Sequence, residues 1–394
     1  MDLSGLKFGS SSAYTIVGEI GRGGMGVVLL AEKNSEGVAD LVALKTIRTK
    51  GADHETRLKQ EANIATGLRH ENIVKTYGME SIPYAQLPAE FVQGYDTLSS
   101  DTGHRLKVQV RRALPGGRFA DARTRLRISP PTVIDRKLYL IVMDYIEGTD
   151  LRTFQNEHVK RDLLIPVPLA AFAVSRVARA LAYAHQSIVH RDISPENVLL
   201  NLQGVVKLSD FGVAVSGEAG GITGKLPYLS PEQILGKEVD LRTDLYSLGL
   251  VLYLLLTGVS LQRVPSKKPL AERLEFVRKL LDRSFPAPGL VRNDVPEELS
   301  MICMKMLARD PARRYASAEE VVRDLEQKHL YARGFGPTNN SMQAYLEMFD
   351  ASFKETTKEQ FRQLPFLHGQ IQRPLSAALY TREGKALLEE TLNR

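Results

Sequence analysis

Cysteine is almost missing from this chain: its 394 residues include one, Cys303, so no intramolecular disulfide can form and a stapled secreted domain is excluded. No Cys/His group has zinc-ligand spacing either. The opening MDLSGLKFGSSSAY lacks the apolar core of a signal peptide, about 7 to 15 residues long, so a cytoplasmic location is expected. Long hydrophobic runs are absent as well. The longest, Leu248 to Thr257, falls short of the roughly 20 residues that span a bilayer and reads as a core helix. With 43% hydrophobic and 25% charged residues, collagen-like, low-complexity and wholly disordered chains are excluded. The length suits two or three domains of about 100 to 200 residues each.

The net charge of +6 is local. Residues Arg105 to Arg127 carry eight basic side chains and one acid, which leaves the rest of the chain close to neutral. This stripe lies in a stretch from Met79 to Arg136 that is far longer than a hairpin loop needs, and it marks an insertion. Alternation on both sides of Pro115-Gly116-Gly117 predicts a β-hairpin with one basic and one apolar face. Apart from Phe119 it has no aromatics for base stacking, so nucleic acid is disfavoured as a partner. A charged edge that blocks strand pairing, or a docking face for an acidic partner, fits 105–127 better.

Around this insertion the pattern changes once. TIVGEI, VVLLAEK and LVALKTI, between Tyr14 and Ile47, predict three antiparallel strands joined by glycine-rich turns. Leu58, Ala62, Ala65 and Leu68 follow at helical spacing. NIVKTY and KLYLIVMDY predict two more strands. From Gly148 the sequence is mainly helical, and after a turn-rich link near residue 335 it continues into amphipathic stretches. The tail beyond Tyr331 has eight basic and seven acidic residues and no catalytic cluster, so it is expected to dock on the helical part.

Chemistry enters through three motifs in register. Gly21-Arg22-Gly23-Gly24-Met25-Gly26-Val27-Val28 fits GxGxxGxV between two strands, where glycine lets backbone approach a polyphosphate. A dinucleotide fingerprint would open a helix at that point rather than a second strand. Lys45 follows on the third strand, and Glu61, sixteen residues on, can pair with it and hold its ammonium against phosphate oxygens. The most specific signal is His190-Arg191-Asp192-Ile193-Ser194-Pro195-Glu196-Asn197, followed by Asp210-Phe211-Gly212.

These motifs, in this order and spacing, resemble those of the eukaryotic-type (Hanks-type) serine/threonine protein kinases, in particular the soluble bacterial members. The resemblance covers about residues 14–330. It implies an α+β, bilobal protein-kinase-like fold: a β-rich N-lobe over 14–147 carrying the insertion 79–136, and a larger α-helical C-lobe over 148–330. Residues 1–13 would precede it as a short segment, and 331–394 would follow as a helical extension. The implied cofactors are ATP and Mg2+, with Mn2+ as the alternative ion. Asp192 would accept the proton of the attacking hydroxyl, and Asn197 and Asp210 would hold the metal. Lys45, anchored by Glu61, would hold the α and β phosphates under Gly21, Gly23, Gly24 and Gly26. The adenine would rest among Ile20, Val28, Ala43 and Leu199, beside Met143 as gatekeeper and the backbone of Asp144, Tyr145 and Ile146. The bland reading of these apolar residues is ordinary core.

Further matches are structural. Glu232 in Ser230-Pro231-Glu232 should pair with Arg314, and Asp244 should cap the catalytic loop. Thr223, and after it Ser216, are the hydroxyls best placed for activating phosphorylation, with Arg191 as phosphate partner. Glu196 stands where tyrosine kinases usually carry arginine, which favours protein serine or threonine as the substrate.

Two positions depart from the family pattern. Ser194 replaces the usual lysine two residues after the catalytic aspartate, and Lys225 replaces the threonine that normally packs against that lysine. The pair looks exchanged, with Lys225 delivering its ammonium to the γ-phosphate. The opposing reading is a solvated Lys225 and a pseudokinase, or nucleotide-binding scaffold, whose insertion and tail bind partners. A small-molecule kinase on the same fold is disfavoured by the segment around Glu232, which shapes a protein-substrate platform.

Overall fold

Four of the strands owe their pairing to a period-two burial pattern. In the computed structural model Ile16, then Val27, Leu29 and Ala31, then Val42 and Leu44, then Leu138, Leu140 and Val142 all turn into one core. Alternate residues of a strand share a face, so each segment contributes a single row. The structure describes residues 3–9, 12–23, 26–35, 37–47, 59, 62–88, 91, 137–160, 163–211, 225–262, 264, 269–281, 283–334 and 336–352. The basic hairpin expected at 105–127 lies outside them, as do Gly24, Glu61, Ser216 and Thr223.

The chain divides into two compact units, the first formed by residues 1–51 and 77–145. Its sheet contains β1 (Lys7–Phe8), β2 (Ala13–Gly23), β3 (Gly26–Ser35), β4 (Val38–Ile47), β5 (Thr76–Pro83) and β6 (Lys137–Asp144). They run in the order β1-β2-β3-β4-β6-β5. The hairpin of β2 and β3 closes with Gly23 opposite Gly26. Gly26 has φ +148°, and a Cβ there would lie 2.6 Å from the Thr46 carbonyl oxygen. Its glycine is therefore required by the approach of β3 to β4, where Val27 N–H also donates to Thr46 Oγ1 at 2.8 Å.

The expected strand NIVKTY forms only in part. Strand pairing begins at Thr76, while Asn72 and Ile73 belong to the second unit, where Ile73 bridges Leu208 and the Asn72 amide donates to the Val206 carbonyl. A buried amide follows its hydrogen-bond partner, and that partner is more than a hundred residues away. The insertion also starts later than Met79. β5 runs to Pro83, and Ile82, Tyr84, Leu87 and Phe91 all enter the first core.

The second unit, residues 52–76 and 146–394, is mainly helical. Its centre is the pair of helices Val167–Ala184 and Arg242–Thr257; the second is buried nearly all round, while the first leaves one narrow stripe, Arg176, Arg179, Ala182 and Tyr183, toward the surface. The latter ends at Gly258, which takes the left-handed conformation at φ 75°. Among the described residues one helix, Val167–Ala184, is long and apolar enough to cross a membrane, and it is spent on this core. In a small sheet of β7 (Gly148–Asp150), β8 (Val198–Asn201) and β9 (Val206–Leu208), the motif of residues 190–197 leads directly into the central strand β8. Helical residues 62–67 bring Ala65 onto the same core.

The tail helix Asn339–Ser352 joins that core through Met342, Tyr345 and Leu346. Tyr345 donates its hydroxyl to His158 Nε2 at 2.7 Å, because the other ring nitrogen of His158 donates to the Phe154 carbonyl. Gly204, at φ 76° in the turn between β8 and β9, lies so close to the Asn339 carbonyl that any side chain there would collide with it.

Candidate active site

Two residues other than glycine have positive φ among the described residues, Arg191 at 62° and Asp210 at 68°. L-residues avoid this region at a cost of about 1–2 kcal/mol, so the surroundings must hold each in place. For Arg191 the holder is Asp244, wholly buried in the first turn of its helix. Its carboxylate accepts the backbone N–H of Arg191 at 2.7 Å, that of His190 at 2.7 Å, and His185 Nε2 at 2.9 Å. The Gln233 amide donates to the Arg191 carbonyl from the other side. Asp210 follows Ser209, whose N–H and hydroxyl both donate to the Asn197 carbonyl, while His190 Nε2 donates to the Ser209 carbonyl. The two strained residues thus belong to one hydrogen-bonded frame.

Asp192 sits in this frame nearly buried. Asn197 Nδ2 donates to the Asp192 carbonyl at 2.7 Å and to its carboxylate at 3.1 Å. The other carboxylate oxygen accepts the backbone N–H of Lys225 at 3.0 Å. Asn197 therefore spends its amide protons on orienting Asp192, and its oxygen faces the Lys225 ammonium.

Lys225 reaches back into the same loop. Its ammonium donates to Ser194 Oγ at 2.9 Å and to Asn197 Oδ1 at 3.1 Å, and lies 3.4 Å from the Glu196 carboxylate. Glu196 also binds Arg152 Nε at 2.9 Å, and the Arg152 guanidinium contacts the Tyr228 hydroxyl. Burial alone would raise the Glu196 carboxyl, but Lys225 and Arg152 outweigh it and hold the group below the ordinary carboxylate range. Burial pushes the Tyr228 phenol up to about 12, so it stays a donor at neutral pH. Arg152, Tyr228 and Gln233 were not among the residues expected here. The spacing Ser230-x-x-Gln233 does encode one of them, since it forms a capping box at the start of helix Pro231–Ile234.

The first unit holds its own share of the expected residues. Lys45 on β4 pairs with Val28 on β3 and Ile141 on β6, and Ala43 pairs with Met143. Val28, Ala43, Lys45 and Met143 thus share the sheet face opposite the core row of Val27, Val42 and Val142. Gly21 pairs with Val28, and Ile20 is exposed. The Asp144 carboxylate accepts the Tyr77 hydroxyl at 2.6 Å. In the second unit Leu199 on β8 lies between Asp150 and Lys207. Tyr145 and Ile146 are half-buried.

The set Asn197 Oδ1 and Asp210 suits a hard divalent ion. Among the described residues no three His, Cys, Asp or Glu side chains gather to cage a metal. Magnesium needs no such cage, since it takes one or two protein oxygens together with phosphate oxygens and water.

A loop whose aspartate is oriented by an asparagine amide, tied through Ser209 to the aspartate of an Asp-Phe-Gly motif, is the arrangement of a protein kinase. Comparison with known families agrees: residues 131–325 match the protein kinase domain, and residues 14–97 match the model for protein tyrosine and serine/threonine kinases. The chain is 38% identical over 194 residues to a probable serine/threonine-protein kinase of Clostridium perfringens, covering 48% of this chain and 27% of that protein. It is 33% identical to the tyrosine-protein kinase MasK of Myxococcus xanthus over 55% of this chain and 36% of that one. With the serine/threonine-protein kinase PrkC of Bacillus subtilis it shares 31% identity over 80% of this chain and 40% of PrkC. The chain belongs to the Hanks-type serine/threonine protein kinase family, with the bilobal fold of that family. It spans 27 to 43% of the length of the curated relatives it matches. The family uses ATP and a divalent metal.

Proposed function

We propose that this chain transfers the γ-phosphoryl group of ATP to serine or threonine hydroxyls of proteins, its own activation segment included. The observation that carries this reading is the orientation of Asp192 by Asn197 Nδ2 and Lys225 N–H. Both carboxylate oxygens are fixed, yet each keeps a lone pair for an incoming proton. The substrate oxygen forms its bond to phosphorus as the bond to the β-bridging oxygen breaks. The electron pair leaves on ADP and the proton passes to Asp192.

In this reading Asn197 and Asp210 hold magnesium, which supplies charge neutralisation at the phosphates. Lys45, steadied by Glu61, holds the α and β phosphates beneath Gly21, Gly23, Gly24 and Gly26. Ile20, Val28, Ala43, Met143 and Leu199 enclose the adenine, and the backbone of Asp144 to Ile146 meets its edge. The kinase domain runs over 14–330. Thr223 is the activating phosphosite and Ser216 the second choice, with Arg191 as partner. The basic stripe 105–127 meets an acidic partner, and the domain works in the cytoplasm.

The test is incorporation of labelled phosphate with magnesium, into the chain and into a generic basic protein, with Asp192→Asn beside it and modified residues mapped. Label on serine or threonine that disappears in Asp192→Asn is the expected result. Label on tyrosine would reassign the substrate hydroxyl toward that of the relative MasK. Nucleotide binding without any incorporation would replace the enzyme by a nucleotide-binding scaffold.

A further inference from the structure

We propose that Lys225 is a catalytic residue, the cation that contacts the transferring phosphoryl group, and that Ser194 exists to seat it. The inference rests on the kinase reading above. Phosphoryl transfer spreads negative charge over three oxygens of the moving group, and preorganised cations at that point lower the barrier. Among the described residues Lys225 is the only cation hydrogen-bonded to Ser194 and Asn197, two side chains of the loop that also carries Asp192.

Its surroundings distinguish it from a structural tie. Ser194 is wholly buried, while the Lys225 side chain keeps about a third of its surface exposed, so the residue is seated on a closed wall and still meets solvent. An ammonium has three protons. Here they meet a neutral hydroxyl, a neutral amide oxygen and, at the longest distance of the three, a carboxylate. Glu196 is in turn claimed at 2.9 Å by Arg152. The charge of Lys225 is thus held in place and only partly offset by Glu196, which Arg152 shares at the shorter distance. Arg152 is the positioning residue that keeps Glu196 from closing fully on Lys225.

One residue then sets two groups. The backbone N–H of Lys225 orients the Asp192 carboxylate, and its side chain delivers the charge. The proton of the substrate hydroxyl goes to Asp192, so Lys225 takes no part in the proton transfer. A substitution of the side chain leaves the N–H in place, so the two contributions can be measured apart.

The experiment compares wild type, Lys225→Met, Lys225→Arg and the exchanged pair Ser194→Lys with Lys225→Thr. For each, kcat is measured with ATP and magnesium. Affinity is measured for a non-hydrolysable ATP analogue and for ADP with tetrafluoroaluminate, which mimics the moving phosphoryl. Lys225→Met is expected to lower kcat by about 10²- to 10³-fold, the usual effect of removing one such donor. It should weaken the tetrafluoroaluminate complex by a similar factor and the ATP analogue by less than about threefold. Lys225→Arg should keep part of the rate, and the exchanged pair should regain at least tenfold over Lys225→Met. If Lys225→Met turns over within threefold of wild type, or weakens both ligands equally, the assignment is overturned. Lack of incorporation by wild type would sink the kinase reading itself. The ratio of the two affinities would still decide for or against Lys225, because it needs no turnover.

Discussion

Replacing Asp244 by asparagine should loosen the whole active-site frame. The wild-type carboxylate accepts three donors, the N–H groups of His190 and Arg191 and the His185 ring, with no solvent access. Asparagine keeps one oxygen and turns an NH2 toward a backbone N–H. One charge-assisted bond, worth about 1.5–3 kcal/mol, is lost, and a buried N–H left without an acceptor costs a further 1–3 kcal/mol or so. Arg191 then holds its left-handed conformation with less support, and Asp192 follows it directly. A total of about 3–5 kcal/mol corresponds to a fall in Tm of roughly 10 °C for a unit of this size. Thermal and urea unfolding of Asp244→Asn against wild type measure the first effect. Turnover well below the lowered Tm measures the second, expected as a loss of at least about tenfold. Unchanged Tm with unchanged kcat would refute the argument that this carboxylate holds the loop.

Glu232→Gln should cost about 3–5 kcal/mol in urea unfolding, because it leaves the buried Arg314 guanidinium without the carboxylate it meets at 2.7 and 2.8 Å. The double substitution Glu232→Leu with Arg314→Met should cost less than Glu232→Gln alone, and a larger cost would contradict the charge argument. Gly26→Ala should destabilise the first unit, seen as loss of hydrogen-exchange protection in β3 and β4, since its Cβ would meet the Thr46 backbone and φ +148° strains any side chain. Acid should unfold the second unit early. Burial alone would raise Glu232 and Glu326, but Arg314 and Arg179 with their neighbours outweigh it and hold both carboxyls below the usual range. A group whose folded pKa is depressed adds stability above its unfolded value of about 4.5, and that stability is lost as pH falls through the folded value. The urea midpoint should therefore drop steeply below about pH 4.5, and a midpoint flat from pH 5 to pH 3 would contradict this linkage.

The parts of the structure that were legible in the sequence are those governed by local rules. Alternation exposed β2, β3, β4 and β6, and helix periodicity exposed the second unit, because burial of one face leaves its period in the chain. The placement of Asp192, Asn197 and Asp210 in one hydrogen-bonded frame was legible because the two motifs that carry them stand close together in the chain, at a spacing that short-range rules can read. β1, two residues long, is too short for any period to register. The failure at NIVKTY has a different cause: Asn72 and Ile73 are fixed by Val206 and Leu208, contacts that no local window contains. Arg152 and Tyr228 are invisible for the same reason, since each matters only through a partner more than forty residues away. Lys225 stood out by its type, a lysine where a small hydroxyl was expected; its bonds to Ser194 and Asn197 come from the fold.

The helix Asn339–Ser352 sets the order in which the chain can mature during synthesis. A nascent chain folds its domains as they emerge, N-terminal parts first. The segment with His190, Asp192 and Asp210 emerges long before Tyr345, yet His158 and Phe154 form their final aromatic cluster only with Tyr345 in place. Until that late segment leaves the ribosome, Phe154 lacks the ring that packs on it and His158 Nε2 lacks the hydroxyl that it accepts. Completion of the second unit is in this sense timed by translation, with the helix Asn339–Ser352 as a late closing stitch.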